Sequence, residues 1–279
     1  REQVGAMRAS AETREAALAF PQGNLELAFC GTCGFIHNHL FDPSRLDYSG
    51  EYEETQGYSP RFRHFIDAVC EDQIRRHALG GKTLFEIGCG KGEWLLSLCE
   101  ASGGRGIGID PGYQPSRLQS EALSRMEWII DFYGPKYSHL KADFIACRHT
   151  LEHIGPTLDF MRDIRKTIGD KKGVVLFFEL PEVLRELEEG AFWDMYYEHC
   201  TYFSPGSLAR VFRRALGRSP GEYLRRLRAL RGLDWLARGH SAASAALRSE
   251  HVDASHLGRA LRREFGLKPG DLRRRRVPG

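Results

Sequence analysis

Five short apolar segments alternating with helical ones, a glycine-rich turn after the first and an acid closing the second predict an α/β protein built on a parallel sheet. The segments are residues 83–87, 106–109, 126–130, 144–147 and 174–179. The intervening helices include residues 93–101 and 158–168, and a further helix over 60–77 carries Phe62, Phe65, Ile66, Val69 and Ile74 near helical spacing. Strands joined in this way close through right-handed crossovers. Ligands of such sheets bind at the carboxyl ends of the strands, where Gly88, Asp110, Asp131, Arg148 and Glu179 fall.

The turn itself reads Glu86-x-Gly88-Cys89-Gly90-x-Gly92-Glu93 and leads into a helix. Glycine permits a tight turn and close approach of backbone to ligand, and the first N–H groups of the helix face the same space. Asp110 lies about 20 residues beyond the turn, placed to accept hydrogen bonds from a ribose diol. A dinucleotide site wants a third glycine where Glu93 stands, and Glu86 would repel a phosphate. Both departures suit a cationic nucleoside cofactor without phosphates.

These residues resemble motif I of the class I S-adenosylmethionine (SAM)-dependent methyltransferases, and three later stretches extend the resemblance. Asp131-Phe132 resembles the pair that bonds and stacks on adenine. The run from Cys147 through Arg148, His149 and His153 resembles the motif beneath the sulfonium. Tyr196-Tyr197-Glu198-His199-Cys200-Thr201-Tyr202-Phe203-Ser204 resembles the signature of the deoxysugar C-methyltransferase-like group. The resemblance covers about residues 25–212. It implies a Rossmann-like domain that binds SAM through Glu86, Gly88, Cys89, Gly90, Gly92, Asp110, Asp131, Phe132 and Arg148, and that acts on a small molecule such as a nucleotide-linked keto-sugar. Joining carbon to a sulfonium methyl needs an enolate, hence a base. His199 is expected in that role, with Glu198 orienting it and Tyr196 and His153 donating to the enolate oxygen. A polar network that only supports the sheet is the structural alternative for the same cluster.

Residues 25–38, with Cys30 and Cys33, resemble the second zinc knuckle of the small N-terminal domain in that group. Structural zinc takes four ligands, and one Cys-x-x-Cys pair supplies two. The segment is expected to be a remnant without zinc, since Cys33-x3-His37-x-His39 is too compressed to complete a tetrahedron.

Charge divides the chain. Residues 205–279 hold 18 Lys+Arg against 6 Asp+Glu, and the remainder 22 against 31. A basic, Arg/Ala/Leu-rich helical region points to a nucleic-acid partner. Two stretches, 207–228 and 255–270, resemble recognition helices of AraC-type helix-turn-helix regulators, about residues 205–276. The resemblance implies DNA contacts from Arg210, Arg213, Arg214, Arg259, Arg262 and Arg263. Two helices precede the first recognition helix in that family; here the methyltransferase signature takes their place. The second turn, ordinarily Gly-Phe for a φ > 0 position and a core aromatic, reads Glu250-His251.

The expected organisation is an N-terminal extension over 1–58 with the knuckle-like segment, a methyltransferase domain over 59–204, and an all-α, arginine-rich helix-turn-helix-like region over 205–279. The crossing falls within 204–214, so the sequence reads as a fusion. A SAM-dependent methyltransferase is the first functional expectation and an AraC-type DNA-binding regulator the second. With 279 residues at 42% hydrophobic, no run of eighteen apolar residues and no signal-peptide core, a soluble cytoplasmic protein without a membrane partner is expected. The seven cysteines, odd in number and scattered, read as reduced thiols.

Overall fold

A computed structural model describes residues 2–5, 13–19, 21–46 and 57–267. The elements in chain order begin with β1 (Glu2–Gly5), α1 (Arg14–Ala19), β2 (Gln22–Leu25), β3 (Leu27–Phe29), β4 (Ile36–Asn38) and α2 (Pro60–His77). The central part holds β5 (Thr83–Ile87), α3 (Glu93–Ser102), β6 (Arg105–Ile109), β7 (Met126–Ile129), β8 (Phe144–Arg148), α4 (Thr157–Ile168), β9 (Val175–Glu179), α5 (Val183–Glu189) and β10 (Thr201–Tyr202). Four helices follow: α6 (Pro205–Leu216), α7 (Pro220–Ala237), α8 (Ala242–Arg248) and α9 (Ala254–Phe265). The chain divides into two compact units, Arg1–Val211 and Phe212–Gly279.

In the first unit β5–β9 form a parallel sheet in the order β7-β6-β5-β8-β9. Strand order reverses about β5, so β5 is central. Leu84, Phe85, Glu86 and Ile87 are all buried there, as expected for a strand covered on both faces. Helix α2 starts where Ser59 accepts a hydrogen bond from the Phe62 N–H (3.3 Å) with Pro60 behind it, and stops at Ala78 in the left-handed region. Helix α4 turns Phe160, Met161, Ile164 and Ile168 inward. The 3.6-residue spacing of those side chains is what lets one face pack on the sheet.

A three-stranded sheet, β10-β4-β3, joins distant parts of this unit, with Thr201 opposite His37 and Tyr202 opposite Ile36. The knuckle-like segment is the β3–β4 hairpin, closed by Cys30 N–H to Phe35 O (2.9 Å) and Gly34 N–H to Cys30 O (2.8 Å). The buried ring of Tyr197 anchors the same region: its hydroxyl accepts from the Asp42 N–H (2.8 Å) and its face packs beside Phe41. A Cβ on Gly23 would run into that ring. The antiparallel pair β1–β2 lies at the N-terminus, where the sequence predicts no element.

The second unit is helical throughout its described residues. A capping box opens α7: Ser219 Oγ accepts from the Glu222 N–H and Glu222 Oε2 accepts from the Ser219 N–H (2.7 Å). Ala229, Leu236, Ala245, Ala246, Leu257, Ala260 and Leu261 form its core. Between α8 and α9, Glu250 takes φ +57°, so the position that calls for glycine carries a charged residue. Glu250 meets Arg228 at 2.7 Å and Arg231 at 3.7 Å, while His251 is buried with Nδ1 2.9 Å from Ser249 Oγ. The Lys268, Pro269 and Gly270 that end the second AraC-like stretch lie outside the described residues, as do the arginines of 273–276.

Candidate active site

The loop after β5 is built by three glycines in the left-handed region, Gly88 (φ +71°), Gly90 (+52°) and Gly92 (+84°). Two of them also serve packing inside the protein. A Cβ on Gly88 would collide with Thr150, and one on Gly92 would lie 2.5 Å from the Trp128 ring. Asp110, at the end of β6, ties the loop down: Oδ2 accepts from the Gly90 N–H (2.9 Å) and Oδ1 from the Gly112 N–H (2.7 Å). Each oxygen retains a lone pair, the capacity a ribose diol would use. Lys91 is buried and donates to Gly112 O (2.8 Å).

Glu86 is 2% exposed, and its Oε2 has no hydrogen-bond partner. Burial pushes its carboxyl up to about 8, although Arg148 pulls the other way. An orphaned buried acid beside a glycine turn fits a cationic ligand and does not fit a phosphate. Phe132 is 62% exposed and offers a free ring face at the end of β7. Asp131 beside it is already bound, accepting from Tyr137 Oη (2.5 Å) and paired with Lys136. Those bonds hold its carboxyl down at about 2.

Arg148 closes β8 with its guanidinium 2.8 Å from Glu179 Oε2 on β9 and 4.6 Å from the centre of the Trp94 ring. His149 follows in a positive-φ conformation (+46°), 3.3 Å from Glu179 and 3.8 Å from Glu152. Burial opposes its charge, but the two carboxylates outweigh burial and raise it to about 9. Glu179 is driven to about 2 against its own burial by His149 and Arg148.

The remaining candidates gather a few ångströms farther on. The His153 and His199 rings meet edge to face at 4.9 Å, and Tyr196 lies 5.1 Å from His199 in the same manner. His199 Nδ1 is 3.2 Å from Asp194 O and His153 Nδ1 is 3.0 Å from Glu198 O. A carbonyl only accepts, so Nδ1 carries the proton in both rings and Nε2 holds the lone pair. Burial, reinforced by His153, lowers His199 to about 4. The carboxylate within reach of both imidazoles is Glu152, which the sequence does not single out; Glu198 is buried and contributes its backbone carbonyl to His153.

Cys30 and Cys33 lie at the hairpin turn, and among the described residues no third ligand joins them. His39 is turned toward Glu26, 3.6 Å away. Of the six arginines expected to face DNA, Arg210 donates to Cys33 O and Arg213 pairs with Glu222 at 3.5 Å. Arg214, Arg259, Arg262 and Arg263 are exposed, Arg263 with its Nε 3.3 Å from Glu264 Oε1, and the last three share the outer face of α9 opposite Leu257, Ala260 and Leu261.

The family model of a methyltransferase domain matches residues 62–215, more than half of the chain, and the protein belongs to that family. A helix-turn-helix domain model matches residues 199–275, overlapping the first match across α6. No curated protein matches the chain. Among solved structures it is similar to an O-methyltransferase family protein from Burkholderia thailandensis, at 18% identity and TM-score 0.36, covering 57% of this chain and 53% of that one. A SAM-dependent methyltransferase from Archaeoglobus fulgidus matches at 17% identity and TM-score 0.39, covering 54% and 67%. Human N-acetylserotonin methyltransferase matches at 15% identity and TM-score 0.38, covering 54% and 48%. This chain thus spans about half the length of two of these three.

Proposed function

We propose that this protein methylates carbon in a small carbonyl-bearing metabolite, of which a nucleotide-linked keto-sugar is the model. The observation that carries the reading is the tautomer of His199: its Nδ1–H is committed to Asp194 O, so Nε2 is the proton-accepting atom, in a cluster with His153 and Tyr196. SAM supplies an electrophilic methyl when bound. Asp110 and the glycine loop would hold its nucleoside end, and Glu86, once ionised, would favour its positive charge. His199 Nε2 takes the proton from the carbon beside the substrate carbonyl, leaving an enolate to which the bound cofactor would supply the methyl, its sulfur keeping the electron pair of the broken sulfur–methyl bond. Tyr196 donates to the enolate oxygen, whereas the Nδ1–H of His153 is committed to Glu198 O, so His153 packs against His199 instead of taking the donor role the sequence suggests. A neutral imidazole at about 4 is a weak base, so proton transfer relies on close positioning more than on basicity.

The test is His199→Ala. Cofactor affinity measured by calorimetry should stay unchanged while turnover falls roughly 10²–10⁴-fold. Equal turnover in the two proteins would assign the cluster to a structural role.

One observation favours a second reading, a DNA-binding regulator: the three arginines aligned on the outer face of α9. Such a row suits phosphates and guanine edges. Anisotropy titrations with labelled duplexes at several salt concentrations test it; binding without sequence discrimination would leave only a basic surface.

A further inference from the structure

We infer that Glu152, His153 and His199 form a binding site for a divalent first-row transition-metal ion, a function separate from the cofactor crevice and independent of which substrate is methylated. One ligand atom from each residue lies within 4.8 Å of the others. Three protein ligands about 2.0–2.2 Å from an ion stand roughly 3.4 Å apart in a tetrahedron, so modest side-chain rotation closes the set.

The electrostatics favour a further positive group. Glu152 is 2% exposed, neither of its carboxylate oxygens has a hydrogen-bond partner, and His149 meets it only at 3.8 Å. The two imidazoles present Nε2 lone pairs because their Nδ1–H groups are directed to the carbonyls of Glu198 and Asp194. That is the usual outer shell of metal-bound histidine, in which a backbone carbonyl fixes the tautomer and turns the other nitrogen to the ion. A second buried acid, Glu186, lies in the same region with both oxygens unpartnered and lowers the cost of a cation there. Two imidazoles with one carboxylate select zinc, iron(II) or cobalt over magnesium or calcium, which prefer all-oxygen sets. Three protein ligands leave further positions open, and His153 is only half-buried, giving the ion a way in.

A metal ion and a proton compete for His199 Nε2. Binding of the ion would withdraw that nitrogen from the base role, so the two states of the site are mutually exclusive.

The experiment uses the full chain, stripped with chelator and titrated with cobalt(II), whose visible absorption reports coordination, followed by displacement with zinc. One equivalent of cobalt is expected, with bands of a nitrogen/oxygen site and no thiolate charge transfer. Glu152→Gln and His153→Gln should each weaken binding by at least about 100-fold, more than loss of an outer-shell partner does. The Cys30→Ser/Cys33→Ser double variant should bind as the parent does. Glu152→Gln keeps the shape of the side chain but gives up its ion pair with His149, so a metal-free urea midpoint that moves by no more than loss of one ion pair costs, in a variant that binds no cobalt, separates lost ligation from lost fold. Failure of the parent to bind cobalt, or binding abolished only in the cysteine variant, would overturn the inference. Methyl transfer is not read in this assay, so its absence leaves the metal result standing.

Discussion

Asp110 shows how one side chain can serve both fold and ligand. Its two oxygens already hold the Gly90 and Gly112 N–H groups, and the second lone pair on each is what the ribose would engage. Replacing it with alanine removes charge-assisted bonds to the cofactor and frees the loop. SAM affinity should fall by about 1.5–3 kcal/mol, read by calorimetry. An unchanged affinity in a folded Asp110→Ala protein would make the glycine loop a structural turn only. The neighbouring glycines divide their purpose: Gly88 and Gly92 are required by Thr150 and Trp128 as much as by any ligand. Sequence alone signals the need for small residues there without saying which neighbour imposes it. Glu152 illustrates the opposite limit, since nothing in the local sequence marks a carboxylate that becomes buried between two histidines forty-odd residues apart in the chain.

At the level of elements, β5–β9 are legible as short, largely apolar runs, buried nearly throughout in β5 and β8 and only in part in the edge strands β7 and β9, and structure and sequence agree on them to within a residue or two. The short strands β1, β2 and β10 are not. Gln22–Leu25 and Thr201–Tyr202 gain their extended form from partners far along the chain, a long-range effect that local pattern cannot carry. Gly23 in β2 is one such dependence. Because a Cβ there meets the buried Tyr197 ring, Gly23→Ala should destabilise the first unit by about 1–3 kcal/mol in urea unfolding, the usual cost of overpacking. No change in midpoint would mean that the ring moves aside freely. The turn between α8 and α9 gives a complementary case. Glu250 holds a left-handed conformation and two arginines at once, so substitution separates the two effects. Glu250→Ala and Glu250→Gly lose the same ion pairs, but only alanine retains the backbone strain. The glycine variant should therefore be the more stable of the two by about 1 kcal/mol, and equal midpoints would show that the backbone relaxes.

For the molecule as a whole, buried ionisable groups of opposite sign set the pH range over which it is stable. Glu86 has a folded value of about 8 against an ordinary 4.5, so the folded protein holds a proton that the unfolded chain releases, and stability falls as pH rises from 4.5 to 8. His149, raised to about 9 from 6.5, adds to that fall between those two values. His199 works in reverse: lowered to about 4 from 6.5, it stays neutral when the unfolded histidine would charge, so its contribution is lost as pH drops through that interval. Glu186, raised by burial from 4.5 to about 7, adds a falling slope of its own, so between pH 4.5 and 6.5 two raised acids outweigh His199, and above 6.5 His149 joins the fall. Urea midpoints should accordingly decline from pH 5 to 6.5 and more steeply above 6.5, where Glu86 alone contributes at most about 1.4 kcal/mol per pH unit. Glu86→Gln should make that decline shallower and also remove the Glu86 slope between pH 4.5 and 6.5, leaving the rise from His199 offset by Glu186 alone. The same proton couples to the cofactor, because a sulfonium is drawn to the ionised carboxylate. SAM affinity should rise with pH toward 8 in the parent and stay level in Glu86→Gln. If the parent's affinity is flat across that range while its stability still declines, the Glu86 charge is a feature of the fold and does not act on the cofactor.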